Sequence, residues 1–268
     1  MSTLEVRNVV KKYHLRGGLR GTTLTAVDDV SFTLEPGKTI ALVGQSGSGK
    51  STIAKMLMRL ERPTSGQILF DGRPLWRRRA RSGAYRNSVQ MVFQDPFASL
   101  NPFHTVEHHL ARPLLLHGKA TSRAEVKAGV RRLLERVQLE PADEIALCRP
   151  HELSGGQRQR VAIARALAPE PSVLVADEPV SMLDVSIRLG VLNLIATLQR
   201  EENLGVLYIT HDLATARHFS DEILVMYKGK VVERGPSDDV ILNPQHSYTK
   251  LLAEAAPNPE RRLAGSAR

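Results

Sequence analysis

An α/β fold carrying a helical insertion is predicted by three features of the sequence. The apolar runs TIALV (39–43), SVLVA (172–176) and GVLYIT (205–210) have the unbroken hydrophobicity of strands buried on both faces of a parallel sheet. Between the second and third lies DVSIRLGVLNLIATLQREE, where Ile187, Val191, Leu194, Ile195 and Leu198 recur at helical intervals. Strand, helix and strand in that order make a right-handed crossover unit. The third feature is residues 95–165, which show helical spacing and no strand pattern.

Taken in order, AVDDVSFTL (26–34) places Val30, Phe32 and Leu34 on one face of a strand at a period of two, and EPGK turns the chain into TIALV. SVQMVFQ (88–94) reads as another strand, ending at Gln94. Pro96, Pro102 and Pro113 then break the chain, after which SRAEVKAGVRRLLERVQL is an amphipathic helix. EILVMY, a Lys228-Gly229-Lys230 turn and KVVERG read as an antiparallel hairpin. After Gly235 a polar, proline-containing tail is expected, with its last residues, NPERRLAGSAR, loosely ordered. There is no internal repeat. The expected division is an α/β core from 1–94 and 166–235, a helical subdomain from 95–165 and a C-terminal extension from 236–268.

Composition limits the function classes. The 268 residues are 42% hydrophobic, enough for one large domain or for a core with a subdomain. No run approaches the ~18 apolar residues of a membrane span, and MSTLEVRNVVKKYH has charges where a signal peptide needs an apolar core, so the chain is expected to stay in the cytoplasm. Cys148 is the single cysteine, which excludes an intramolecular disulfide and any multi-cysteine metal or iron–sulfur site and leaves it as a small packing residue. The net charge of +9 favours anionic partners. Part of it sits in RPLWRRRARSGAYR (73–86), where a basic run is ordinarily a solvated face. Aromatic residues, the stacking platforms of single-strand binders, make up only 4%, so no nucleic-acid partner is expected.

GQSGSGKS (44–51) fits G-x-x-x-x-G-K-[ST] between a buried strand and the helical run STIAKMLMRL. Gly44, Gly47 and Gly49 let the backbone wrap a phosphate, Lys50 reaches the β and γ phosphates, and Ser51 offers a hydroxyl to Mg²⁺. Gln45, Ser46, Ser48 and Thr52 complete the loop and the first helical turn. SVLVADEP ends a buried strand with two carboxylates, at the end where open α/β sheets bind their ligands. Asp177 there would hold Mg²⁺, and Glu178 would act as general base on an attacking water. Gln94 and His211, each at a strand end, would sense the γ-phosphate or its metal. A second candidate anion site is LSGGQ (153–157), whose serine and glycines open a helix with free N–H groups. It lies at the end of the helical stretch, away from the core strands, so its natural target is a nucleotide on another subunit.

These motifs, in this order and over nearly the whole chain, resemble the ATP-binding cassette (ABC) family. The resemblance implies a P-loop NTPase (RecA-like) core with an antiparallel β subdomain and an inserted α-helical subdomain, and ATP and Mg²⁺ as cofactors. It implies two cassettes packed head to tail, each ATP lying between the P-loop of one and the LSGGQ of the other. Tyr13 in VVKKYH then corresponds to the aromatic that stacks on adenine, although a lone tyrosine near a strand end is as readily a packing residue. Residues 44–51 are the Walker A loop, Gln94 the Q-loop glutamine, and Ser154, Gly155, Gly156 and Gln157 the signature. Asp177 and Glu178 are Walker B and the catalytic glutamate, and His211 is the switch histidine. SMLD (181–184) matches the D-loop with Asp184 facing the partner; Met182 stands where alanine is usual.

VFQDPFASLNP, RPHELSGGQRQR, ADEPVSMLDVS and NPQHSYTKLLAEAAPNP are similar to the ATPase subunits of bacterial oligopeptide and dipeptide importers, a group that includes nickel, opine and oligosaccharide systems. The form ASLNP resembles the second, F-type, of their paired ATPases. Partners implied are a second and different ATPase chain, two transmembrane permeases and, indirectly, an extracellular solute-binding protein, with this chain at the cytoplasmic face of the inner membrane. Tail cysteines that bind an iron–sulfur cluster in some members are absent after Cys148. Residues from Asp95 to Val106 would receive a helix of the permeases, with Phe97 and Phe103 either on that surface or packed under the loop. Repair and chromosome-maintenance ATPases share a signature motif but need coiled coils or zinc-binding cysteines, and ribosome-bound cassette proteins join two cassettes in one chain. These 268 residues show one cassette, one cysteine and no coiled-coil repeat, so neither class is expected.

Overall fold

A computed structural model describes residues 2–15, 22–76 and 82–255. The centre of the basic run, residues 77–81, and the terminal NPERRLAGSAR lie outside the described residues. The chain opens with two long strands, β1 (Leu4–Leu15) and β2 (Thr22–Leu34), followed by β3 (Thr39–Val43), α1 (Lys50–Leu57), β4 (Ser65–Phe70), β5 (Arg73–Pro74), α2 (Ser82–Ser88) and β6 (Val89–Val92). Residues 95–165 carry helices and no strand: α3 (Pro96–Ser99), α4 (Val106–Leu116), α5 (Arg123–Arg136), α6 (Ala142–Leu147) and most of α7 (Gly155–Leu167). The α/β alternation resumes with β7 (Val173–Asp177), α8 (Val185–Glu202), β8 (Gly205–Thr210), α9 (Leu213–Phe219), β9 (Glu222–Tyr227) and β10 (Lys230–Pro236), and α10 (Ser237–Leu242) and α11 (Ser247–Ala255) follow.

Two sheets result. One is antiparallel in the order β2-β1-β4-β5; the other runs β10-β9-β3-β8-β7-β6, parallel from β6 to β9 with β10 antiparallel at its edge. Strand periodicity divides the interior into two cores. In β3, Ala41 and Val43 face the helical side with Val161, Ile195 and Tyr208. Ile40 and Leu42 face α1 and the antiparallel sheet, meeting Ile53, Leu57, Phe32 and Ile68. The central strands are therefore buried on both faces, and the glycine loop after β3 is held between two packed layers. Within the helical stretch, Ser122 accepts from Glu125 N–H at 3.2 Å while the Glu125 carboxylate accepts from Ser122 N–H, a capping box that opens α5.

The structure departs from the sequence reading in three places. Pro113, expected to break the chain, lies inside α4 (Val106–Leu116), which continues through it to Leu116. Strand β6 stops at Val92, so Gln94 lies beyond the strand rather than at its end. The reason is local: the ladder with β7 runs only from Val89 to Val92, and Asp95 then caps α3 through the N–H groups of Phe97 and Ala98, turning the chain off the sheet. The expected tail is also structured up to residue 255. Glu233 on β10 accepts the N–H groups of Gln245 and His246, turning the chain back, and the face bearing Tyr248 and Leu252 packs on the helical-side core.

Candidate functional site

The site grows from the end of β3. Gly44 leaves the strand where an added Cβ would lie 2.4 Å from the Met226 carbonyl oxygen, and Gly49, at φ 110°, would put one 2.3 Å from that of Ala26. Both residues admit only hydrogen at Cα, which lets the loop sit against β9 and β2. Helix α1 starts at Lys50 with no side-chain cap and no acid in its first turn. Its free N–H groups and positive dipole end are thus open to an anion. The Lys50 ammonium, almost wholly buried, donates to the Gly44 carbonyl at 2.6 Å and the Gln45 carbonyl at 3.1 Å, and the buried Ser48 hydroxyl has no partner.

Two carboxylates face this loop. Burial pushes the Asp177 carboxyl above the usual carboxylate range and the Glu178 charge adds to it, against the pull of Lys50, Lys55 and the Ser51 hydroxyl. Burial pushes the Lys50 ammonium down, opposed by Glu178 and Asp177. Glu178 sits in the left-handed region at φ 44°, held there by its N–H on the Ile209 carbonyl at 2.9 Å. A non-glycine residue in that conformation is strained, and such strain gathers at functional positions. Its carboxylate accepts Gln94 Nε2 at 3.1 Å and lies 3.3 Å from His211 Nδ1.

A cleft of about 860 Å³ joins these groups. Gln45, Ser46, Gly47, Gly49, Lys50, Ser51 and Thr52 form one wall, and Gln94, Glu178 and His211 another. Tyr13 lies at the rim, its hydroxyl donating to the Glu61 carboxylate and its ring 5.0 Å from the Lys11 ammonium. Gly44 and Ser48 stand behind the loop and Asp177 behind Lys50 and Ser51.

The signature residues are elsewhere. Ser154, Gly155, Gly156, Gln157 and Asp184 do not line this cleft. Ser154 Oγ accepts Gln157 N–H at 3.2 Å and Gln157 Oε1 accepts Ser154 N–H at 2.9 Å, a capping box that opens α7. A Cβ on Gly155 would lie 3.5 Å from Leu183, and one on Gly156 would lie 2.6 Å from Ile187, so this helix start packs against the segment from which Asp184 begins α8. Met182, Val185 and Leu189 are exposed beside it.

The ABC transporter family model matches residues 27–181, more than half of the chain. The chain belongs to that family. It is 46% identical over 258 residues to the glutathione import ATP-binding protein GsiA of Salmonella choleraesuis, covering 95% of this chain and 41% of that protein. The GsiA of Escherichia coli O157:H7 is 47% identical over 261 residues, 96% of this chain and 41% of the relative. The chain thus spans well under half the length of these relatives. Among solved structures, the dimeric post-hydrolysis state of the cassette MJ0796 bound to ADP and phosphate superposes with a TM-score of 0.75 at 30% identity, covering 87% of this chain and 98% of that one. The cbiO1 subunit of the cbiONQ ABC transporter complex of Clostridium perfringens gives 0.77 at 29% identity, covering 90% of each chain.

The ABC cassette's own residues suit a magnesium nucleotide. The uncapped α1, the unpartnered Ser48 hydroxyl and the Lys50 ammonium resting on loop carbonyls all await an anion. Among the described residues no three His, Cys, Asp or Glu side chains group so as to hold a metal ion. The Ser51 hydroxyl lies against the Asp177 carboxylate, and these two hard oxygen donors would hold magnesium. No described helix is long and apolar enough to cross a membrane. Besides Leu24, Ala26 and Lys55 in the cleft lining, two residues that touch site residues escaped the sequence reading: Glu61, the partner of Tyr13, and Tyr248, whose hydroxyl accepts Gln45 N–H at 3.0 Å. The spacing of Tyr248 and Leu252 at i, i+4 is the signal that could have revealed the second.

Proposed function

We propose that this ABC cassette hydrolyses ATP to ADP and phosphate and that the hydrolysis drives import of peptides or a related small solute. The observation that carries the reading is the division of the phosphate-facing groups between two places on the chain: a cleft with base, lysine and glycine loop, and a signature end that lines no part of it. A cleft so divided is completed when a second cassette brings its signature to this P-loop. Glu178, held by Gln94 and beside His211, takes the proton of a water as its oxygen attacks the γ-phosphorus. The bond from that phosphorus to the β–γ bridging oxygen then breaks. Lys50 and the α1 N–H groups carry the charge that develops on the phosphoryl oxygens, and closure excludes bulk water. Magnesium, held through Ser51 and Asp177 with Gln94 nearby, would supply Lewis-acid polarisation of the phosphates. Tyr13 at the cleft rim stacks on adenine.

The partners in this reading are a second, different ATPase chain and two transmembrane permeases fed by an extracellular solute-binding protein, which places this chain on the cytoplasmic face of the inner membrane. The core of 1–94 and 166–235 binds nucleotide, 95–165 carries the signature, and 236–268 is the extension of peptide importers. Two phenylalanines support a docking surface on 95–106: Phe103 is 84% exposed, and Phe97 is half exposed with the Arg158 guanidinium 4.3 Å from its ring. The names of the relatives favour a short peptide such as glutathione over nickel, opine or oligosaccharide. The test is steady-state ATP hydrolysis by the complex purified with its neighbouring permease and ATPase subunits, wild type against Glu178→Gln. Turnover should fall by roughly 10²–10⁴-fold with ATP binding retained; undiminished turnover would remove Glu178 from the role of base.

A further inference from the structure

The C-terminal helix reaches the phosphate loop. The backbone N–H of Gln45, the second residue of GQSGSGKS, donates to the Tyr248 hydroxyl at 3.0 Å, across a separation of 203 positions in sequence. Tyr248 is buried, and its ring packs on Tyr227 with centroids 4.3 Å apart. Tyr227 ends β9 immediately after Met226, whose carbonyl closes off Gly44. The turn into α11 is clasped at its root: Glu233 accepts the N–H groups of Gln245 at 2.7 Å and His246 at 3.0 Å, and His246 Nδ1 accepts Tyr248 N–H at 3.1 Å. Burial alone would raise the Glu233 carboxyl, but the Gln245 N–H, the Thr249 hydroxyl and the His246 N–H and ring together hold it below its usual range, so the clasp is charged.

The Lys50 ammonium bridges the Gly44 and Gln45 carbonyls with two of its three N–H donors, and any phosphate drawn to it competes for them. Among the described residues, two hydrogen bonds from outside the loop hold its backbone independently of that lysine: the Gly229 N–H on the Ser48 carbonyl at 3.0 Å and the Gln45 N–H on the Tyr248 hydroxyl. Without the second, the first turn of the loop samples other shapes, and ordering it at the moment of binding lowers affinity.

We propose that Tyr248 is a positioning residue for ATP: through Gln45 it keeps the glycine loop in its phosphate-receiving shape, so that helix α11 sets the affinity of the cleft. The proposal rests on the reading of that cleft as an ATP site. Tyr248→Phe keeps the ring on Tyr227 and removes only the hydroxyl. The experiment titrates ATP with Mg²⁺, and separately tripolyphosphate, into the full-length wild type and the variant, and measures KM and kcat in the assembled complex. The Kd for ATP should rise roughly three- to tenfold, the range of one net hydrogen bond. Tripolyphosphate should lose the same factor, because the loop touches only phosphate, and KM should rise with kcat retained. Should Tyr248→Phe fail to fold, Glu233→Gln, which loosens the clasp, carries the same comparison. Equal affinities, a loss for ATP that tripolyphosphate does not share, or a loss carried by kcat overturns the proposal. Wild-type protein that binds neither ligand defeats instead the assignment of the cleft to ATP.

Discussion

Helices α1 and α7 both open beside glycines, α1 just after Gly49 and α7 at Gly155, yet their first turns are built differently. The first turn of α1 has no side-chain cap and no acid, and a lysine ammonium lies folded against the loop before it. The first turn of α7 is closed by its own box, Ser154 and Gln157 each satisfying the other's backbone N–H. An uncapped helix start forgoes about 1 kcal/mol of capping stabilisation. The α1 end forgoes it beside the cleft, where an anion can replace the cap; the α7 end is self-sufficient and can wait for a surface from outside the chain. In the first case ligand binding completes the fold, and in the second it only adds to it.

Removing the lysine is the most direct way to break this contrast after the loss of the Glu178 carboxylate. Lys50→Ala should weaken ATP binding to the isolated chain by roughly 10–100-fold, the range of a charge-assisted hydrogen bond in a partly buried site. Isothermal titration reads the change. An affinity within twofold of wild type would show that the α1 N–H groups alone hold the phosphates, and the lysine would lose its role. A smaller effect separates cap from ligand contact at the other helix. Ser154→Ala removes the cap of α7 and should cost about 1 kcal/mol of stability in denaturant unfolding. Ser154→Asp keeps a capping oxygen, so its stability should match wild type, while its charge repels phosphate. Both variants should lower hydrolysis in the assembled complex, by roughly tenfold, and leave ATP binding to the isolated chain unchanged. Full hydrolysis with Ser154→Asp would mean that Ser154 serves only as a cap.

The two regions also differ in how far the sequence disclosed them. The buried runs of β3, β7 and β8 were legible because strands covered on both faces are continuous in hydrophobicity, and the loop after β3 declares itself through glycine spacing. Strand β1 was hard to read for the opposite reason. Leu4 and Val6 alternate, but Asn8 enters the left-handed region at φ 47° and the pairing register shifts before Val9, so the buried positions change phase within the strand. Tyr13 and Glu61 illustrate a second limit. Their hydrogen bond joins the end of β1 to the segment after α1 and depends on how the antiparallel sheet lies over that helix, which no local pattern encodes. The docking of α11 is likewise a tertiary fact: its polar residues read as a tail, whereas Glu233 on β10 turns the chain back.

The smallest effect concerns pH, and it belongs to one region alone, since LSGGQ contains no ionisable side chain. In the cleft, burial is the leading cause of both shifts, upward for Asp177 and downward for Lys50, so the range in which both are charged is narrowed from each end. In the proposed reading of the cleft, magnesium needs the Asp177 charge and phosphate the Lys50 charge. ATP affinity in the presence of Mg²⁺ should therefore decline several-fold as pH falls through a value above the ordinary aspartate range, and again as pH rises toward a value below the ordinary lysine range. For nucleotide-free folding the sign at the acid end reverses. A carboxyl raised on folding binds its proton more tightly in the native state, so its contribution to stability grows as pH drops from the raised value toward the unfolded one and is lost as pH rises through that window. Binding and stability should thus move in opposite directions with acidification. Calorimetric titration across that window, paired with urea unfolding at the same pH values, reads both, and Asp177→Asn should flatten both acid limbs. Parallel decline of affinity and stability would assign the acid sensitivity to some group other than the buried carboxyl behind Ser51.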